Sequence, residues 1–366
     1  MRTVLFVSYS IGIGGVEKAL LGALDTFKSE WWDIHVALLK PEGELLKYIP
    51  NGISVHPIKG VEEVKPLLHT PMKQTIIKLL KLGKLSSAIQ VGLCLLDCKL
   101  HKGFNRLYKY IYKDIPSFSE QEFDLAISFA GPDRILDSYV NYCVKAKEKW
   151  GWIHFDISKF GIDYSITNNV YQNFSRINIV SKQAKDIFDK EFPQLADKTI
   201  FTPNVINKDL IAKMSKENVG LPKRKDKQII LTVGRISAEK GQYNALQALN
   251  ILVKNGRTDL CWWFVGDGND STRCKDYVRE HNLEEFVKFF GAKVNPYPYM
   301  AACDTYVQPS LHEGFCITLA EAKLFNKPII ATDFSGAEEQ LNTYTSPYRI
   351  VSNGIHEIAK AIETLL

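Results

Sequence analysis

The sequence predicts an α/β protein made of two Rossmann-like, doubly wound parallel sheets. Three observations carry that prediction. Short apolar runs of strand length alternate with longer helical patterns along the chain. A polar, proline-containing connection interrupts the series near its middle. The length, 366 residues, exceeds what one core commonly holds and suits two.

The first series opens with a strand at Thr3–Tyr9, a glycine-rich loop at Ser10–Gly15 and a helix over Val16–Phe27. Further strands are predicted at His35–Leu39, Leu125–Phe129, Trp150–His154, Ile177–Val180 and Ile200–Thr202, with helical patterns between them. Residues 206–226 then carry Asn207-Lys-Asp and Leu221-Pro-Lys-Arg-Lys-Asp, which reads as a linker. The boundary is placed near Ile206, giving an N-terminal domain over 1–206 and a C-terminal domain over 207–366. The second series has strands at Gln228–Val233, Leu260–Val265, Val287–Phe290 and Thr305–Gln308, and a last helix from about Ile355. In open α/β sheets ligands gather outside the carboxyl ends of the strands. Two such units are therefore expected to face each other across a cleft lined by those loops.

Composition narrows the class. Hydrophobic content of 45% and charged content of 24% are those of an ordinary globular protein. Seven cysteines, an odd number without paired metal spacing, point to reduced thiols in a cytosolic setting, with Cys94 and Cys98 read as helix-face residues. The apolar run Met1–Val7 is too short for a signal peptide, and no stretch of about 18 apolar residues exists to span a membrane. The expected location is cytoplasmic. Net charge is +5, yet the segment Lys65–Lys113 alone holds ten basic residues against Asp97, a local +9. Leucines and isoleucines are interleaved there at roughly helical spacing. That pattern suits either a basic helix lying on an anionic membrane face or helices on the sheet with a solvated basic side. No nucleic-acid-binding motif accompanies it.

The most informative stretch is Ser310-Leu-His-Glu-Gly-Phe-Cys-Ile-Thr-Leu-Ala-Glu-Ala322. It reads as a loop entering a helix, with Gly314 followed by amides at Phe315, Cys316, Ile317 and Thr318. Such a helix start offers unpaired N–H groups to a phosphate. Glu313 and Glu321 can only accept hydrogen bonds when ionised, so they suit hydroxyl groups on either side of that phosphate. Taken alone, two glutamates at this spacing also suit solvated helix-end charges. Upstream, Gly234-Arg235-Ile-Ser-Ala-Glu-Lys240-Gly241 follows a buried-strand pattern and places two cations in one glycine-bounded loop. A phosphate flanked by hydroxyls describes a nucleotide-sugar.

These segments occur in the order Gly-Arg…Glu-Lys-Gly, Val-Gly-Asp-Gly, Phe-Phe-Gly, Ala-Ala-Cys-Asp, Pro-Ser…His-Glu-Gly-Phe…Glu-Ala and Pro-Ile-Ile-Ala-Thr-Asp. The series resembles glycosyltransferase family 4, retaining enzymes of GT-B fold that use nucleotide-sugars. The likeness runs from about Gln228 to Glu338. It is looser in the first half, where Gly14-Gly15-Val-Glu17, Trp152-Ile-His154-Phe-Asp156, Val180-Ser181 and Pro203-Asn204 match family landmarks.

The resemblance implies roles. Arg235 and Lys240 would neutralise the departing diphosphate, and Gly234 would let the backbone approach it. Glu321 would hold the ribose diol and Glu313 the donor sugar hydroxyls. Gly314, Phe315 and Cys316 would present amides, although the family usually has a small residue, often glycine, where Cys316 stands. Gly14 and Gly15 match the N-terminal glycine loop that approaches donor and acceptor. His154 matches a histidine that contacts the reacting sugar, and Asp156 either orients it or caps the next helix. Asn204 matches a linker asparagine whose usual following glycine is Val205 here. GT-B chains of this family commonly continue through further helices beyond the point where this sequence stops.

The expected reaction is retaining transfer of a sugar from a nucleoside-diphosphate sugar, UDP favoured, to a glycan or lipid-linked oligosaccharide in cell-surface polysaccharide synthesis. No two aspartates are separated by one residue, so neither metal nor cofactor is expected. Two other enzymes fit parts of the pattern, a GT-B sugar-nucleotide epimerase and a nicotinamide-dependent Rossmann oxidoreductase or epimerase. The latter would place Glu17 where its fingerprint wants a third glycine. A third reading, a silent sugar-nucleotide-binding partner, fits poorly with Arg235, Lys240, Glu313 and Glu321 all in place.

Overall fold

The computed structural model describes residues 1–61, 72–81, 83, 85–101, 105–159, 161–223 and 226–366. It divides into two compact units, Met1–Pro203 and Asn204–Leu366.

The first unit is a seven-stranded parallel sheet. Its strands are β1 (Thr3–Ser8), β2 (Asp33–Leu38), β3 (Ser54–Pro57), β4 (Phe123–Gly131), β5 (Ala146–Ile153), β6 (Arg176–Ile179) and β7 (Thr199–Phe201), in spatial order β3-β2-β1-β4-β5-β6-β7. β1 is apolar and buried from Val4 to Val7, as a strand covered on both faces must be. The order reverses between β1 and β4, so loops leaving these two strands diverge and open a crevice.

The second unit repeats the plan with six parallel strands. They are β8 (Gln228–Val233), β9 (Leu260–Val265), β10 (Val287–Phe289), β11 (Thr305–Gln308), β12 (Ile329–Thr332) and β13 (Tyr348–Val351), in order β10-β9-β8-β11-β12-β13. Here the reversal lies between β8 and β11, which pair directly through Thr305↔Ile230 and Tyr306↔Leu231. β9 is buried at all six positions and puts Trp262 and Trp263 on opposite faces. The Trp262 indole N–H is satisfied by Thr232 Oγ1 at 3.0 Å. The two α/β sheets are those of the GT-B fold.

Three strands lie outside the sequence expectations. β3 is an edge strand with no fully buried residue, and β13 is a half-exposed edge, so neither shows an apolar run. β12 is buried throughout but only four residues long.

The basic segment contributes helices Met72–Lys81, Leu85–His101 and Asn105–Tyr112. Lys65, Lys84 and Lys102 lie outside the described residues, as do the side chains of Lys73, Lys78, Lys99 and Cys98. Lys81, Arg106, Lys109 and Lys113 are exposed. The helix Leu85–His101 buries Ala88, Val91 and Cys94, whereas Leu85, Ile89, Leu93, Leu96 and Leu100 are between 50% and 77% exposed. Ile77 and Leu80 on the preceding helix are exposed as well. A solvated basic face alone does not describe this surface, because the outward stripe is apolar. No described helix is long and apolar enough to cross a membrane. The six described cysteines are buried and free.

Candidate functional site

The loops leaving β8 and β11 meet at the reversal point of the second sheet. After Val233 the chain runs through Gly234 and Arg235, makes a single 3₁₀ turn at Ala238–Lys240, and enters the helix Gln242–Lys254 through Gly241. Gly241 has φ 70°, and a Cβ there would fall 1.9 Å from the Pro309 carbonyl oxygen. Only glycine permits both the left-handed backbone and so close an approach to the β11 loop. Gln242, 1% exposed, pins the turn by donating from Nε2 to the Arg235 carbonyl at 2.9 Å.

This packing brings Lys240 to Glu313. The ammonium donates to both carboxylate oxygens at 2.7 Å. Side-chain exposure is 23% for Lys240 and 7% for Glu313. Burial works against the Lys240 charge, and the Glu313 carboxylate outweighs it, holding the ammonium above its ordinary pKa. Glu313 also accepts from Ser310 Oγ at 2.7 Å and from Gln308 Nε2 at 3.4 Å. Arg235 points outward, 68% exposed, with Nη2 2.9 Å from Glu239 Oε1. The two cations nominated for a diphosphate are therefore near one loop, but each already faces a carboxylate.

Beyond Glu313 the chain turns at Cys316, which has φ 58° and ψ 72°, and begins the helix Ile317–Lys323. The left-handed region favours glycine, which accounts for the residue expected there; this chain places a buried thiol in it. The backbone N–H groups of Gly314, Phe315, Cys316, Ile317 and Thr318 find no acceptor among the described residues. Unpaired amides at a helix start suit an anion. Thr318 Oγ1 is engaged with Gln308 Oε1 at 3.1 Å, and the Phe315 carbonyl accepts from Gln340 Nε2. Glu321 lies one turn into the helix, 1% exposed, and accepts from the Tyr297 hydroxyl at 2.7 Å.

Gln308, Ser310 and Tyr297 were not singled out from sequence. Gln308 carried the stronger signal, a long polar side chain at the end of a strand buried throughout.

In the first unit Gly14 caps the helix Gly15–Ser29. The space above it is taken by Glu17, whose Oε2 lies 2.1 Å from where a Gly14 Cβ would stand. Burial raises the Glu17 carboxyl pKa. A carboxylate over this glycine turn opposes a pyrophosphate there, which weighs against the nicotinamide reading. His154 follows β5 and packs on Phe129, ring centroids 4.7 Å apart. Neither buried ring nitrogen makes a hydrogen bond of good geometry among the described residues, and burial, opposed only by the nearby Phe129 backbone, lowers the His154 pKa to about 3. Asp156 caps the next turn, accepting from the Ser158 N–H at 2.9 Å and hydroxyl at 2.7 Å. That is the capping alternative for Asp156. Asn204 is buried, and its Oδ1 is also unpartnered.

Among the described residues no group of three or more His, Cys, Asp or Glu could hold a metal ion.

Residues 213–366 match the family described as Glycosyl transferases group 1. The chain is 25% identical over 334 residues, 90% of its length and 81% of the relative's, to a Campylobacter jejuni N-acetylgalactosamine-N,N'-diacetylbacillosaminyl-diphospho-undecaprenol 4-alpha-N-acetylgalactosaminyltransferase. It is 28% identical over 167 residues to an uncharacterized glycosyltransferase of Methanocaldococcus jannaschii, spanning 41% of that protein's length. Anabaena HepE, solved in complex with UDP and glucose, superposes with a TM-score of 0.68 at 17% identity, over all of this chain and 89% of that one.

Two outcomes follow from this geometry. Replacing Lys240 with alanine strands a buried Glu313 charge, and urea unfolding should show a loss on the order of 3 kcal/mol. His154 is neutral in the folded chain down to about pH 3 but protonates near 6.5 when unfolded, so it erodes stability as pH falls through that window. His154→Phe should flatten the decline in unfolding free energy between pH 6.5 and pH 4.

Proposed function

We infer that this chain, a GT-B glycosyltransferase by its fold and its match to Glycosyl transferases group 1, moves a sugar from a UDP-sugar to a glycan or lipid-linked oligosaccharide in cell-surface polysaccharide synthesis. The observation that carries the reading is the convergence of Lys240, Glu313, five open amides and Glu321 where β8 and β11 diverge. UDP in the Anabaena structure and the diphospho-undecaprenol in the Campylobacter transferase's name support donor and acceptor class.

Breaking the anomeric C–O bond leaves negative charge on the diphosphate and positive charge on the sugar. The chain's part is to have compensating groups already in place. In this reading the diphosphate takes its place at the amides of residues 314–318 and shares the Lys240 ammonium, while Arg235 swings from Glu239 to fork onto phosphate oxygens. Glu313, relieved of part of its ion pair, accepts from donor sugar hydroxyls. Glu321 accepts from the ribose diol. His154, neutral at working pH, contacts the reacting sugar and is not a general base that gains and loses a full charge. Family 4 membership, retention by a same-face displacement, and independence from metal and cofactor belong to the same proposal.

The exposed stripe Leu85, Ile89, Leu93, Leu96 and Leu100, with exposed Lys81 and Arg106 nearby in sequence, suits the surface of an anionic membrane. A cytoplasmic-face enzyme handling a lipid-linked acceptor gains from such a contact.

A thermal-shift screen of UDP, GDP, ADP and their sugars tests the donor, since saturation at a hundredfold over Kd stabilises by about 2.7 kcal/mol. With a donor in hand, Lys240→Ala should lower kcat by about 10²-fold or more, and unchanged kinetics would refute its role. Activity should survive EDTA; restoration by manganese after loss would overturn metal independence. Vesicles containing phosphatidylglycerol should retain the protein at low salt, neutral phosphatidylcholine vesicles much less, and Leu93→Glu/Leu96→Glu should abolish retention.

A further inference from the structure

We propose that Tyr297 is the positioning residue that makes the donor site selective for ribonucleotides, by clamping the Glu321 carboxylate toward the ribose 2′-hydroxyl. The inference rests on the reading of Glu321 as the ribose ligand and adds a residue to it.

The Tyr297 hydroxyl donates to Glu321 Oε1 at 2.7 Å, and the two residues are 5% and 1% exposed. A carboxylate that deep retains its charge only where donors meet it, and a carboxylate can only accept. The phenol is one such donor and occupies one oxygen. The carboxylate's torsion is therefore constrained from outside the glutamate's own helix.

Tyr297 is itself held. Its backbone N–H donates to Asn295 Oδ1 at 3.2 Å. Asn295 in turn donates from Nδ2 to the Met214 carbonyl at 2.8 Å and to Glu217 Oε2 at 2.9 Å. Met214 ends the helix Lys208–Met214 and is 3% exposed. A chain of hydrogen bonds thus runs from that helix end through Asn295 and Tyr297 to Glu321. It sets one carboxylate rotamer without any contact of its own with a ligand. A site whose buried acceptor is preset for a hydroxyl rejects the analogue lacking it far more strongly than a site free to rotate.

The test compares the affinity of UDP with that of 2′-deoxy-UDP, by calorimetry, in wild type, Tyr297→Phe, Glu321→Ala and the double variant. Because the readout is a ratio of two ligands on one protein, partial loss of folded material cancels. Wild type should favour UDP by at least tenfold. Tyr297→Phe should weaken UDP binding and bring the ratio toward one, and the double variant should be no less selective than Glu321→Ala alone. With the UDP-sugar, Tyr297→Phe should raise KM about tenfold and leave kcat within about twofold. An undiminished UDP preference in Tyr297→Phe overturns the inference and leaves the donor reading standing. A wild type that binds UDP but ignores the 2′-hydroxyl overturns this inference and the ribose role of Glu321 together. A wild type that binds neither overturns the UDP reading itself.

Discussion

One ion pair organises the second unit's ligand end. Lys240 and Glu313 are 73 residues apart in sequence, on loops leaving two strands that are adjacent in the sheet but not in the chain. Neither charge tolerates burial alone, and together with Ser310 and Gln308 each is satisfied. The loops can approach closely enough only because Gly241 has no side chain to strike Pro309. Remove that approach and the amides of residues 314–318, whose positions follow from the same loop, lose their bearing on Lys240.

The pairing also changes how the site is understood. A cation-lined berth was the expectation, yet Lys240 and Arg235 both face carboxylates. On the proposed reading a diphosphate entering there would compete with Glu313 for the ammonium, and the carboxylate it displaced would be the group assigned to the sugar hydroxyls. Charge is thus held ready in a satisfied form, which spares the unliganded chain a buried uncompensated cation. In the other unit the economy is different: His154 is kept neutral by burial, and Asp156, which could have oriented it, caps a turn.

How much of this was legible in the sequence depended on burial. β8 and β9 end where their apolar runs end, because a strand covered on both faces leaves no ambiguity about which residues lie inside. β3 and β13 are edges with half-exposed residues, and no hydrophobic pattern marks them. Glu313, Arg235 and Lys240 stood out because charged residues beside glycines in loops after strands are conspicuous, and Glu321 because it follows Glu313 at helix-entry spacing. Tyr297 did not, since a tyrosine between prolines reads equally well as a core aromatic. The leucines of residues 85–100 were seen at helical spacing, but spacing cannot say which way a helix is turned.

The α/β class, the two parallel-sheet units and the charged residues after β8 and β11 are legible along the chain, because strand runs, turn glycines and local charge are properties of neighbouring residues. The partners come from packing in three dimensions. Whether Lys240 meets Glu313, whether Tyr297 reaches Glu321 and whether Leu93 faces solvent are settled by which strands lie side by side and which helix faces they cover. Those outcomes depend on contacts between residues tens of positions apart, whose energies no local pattern encodes.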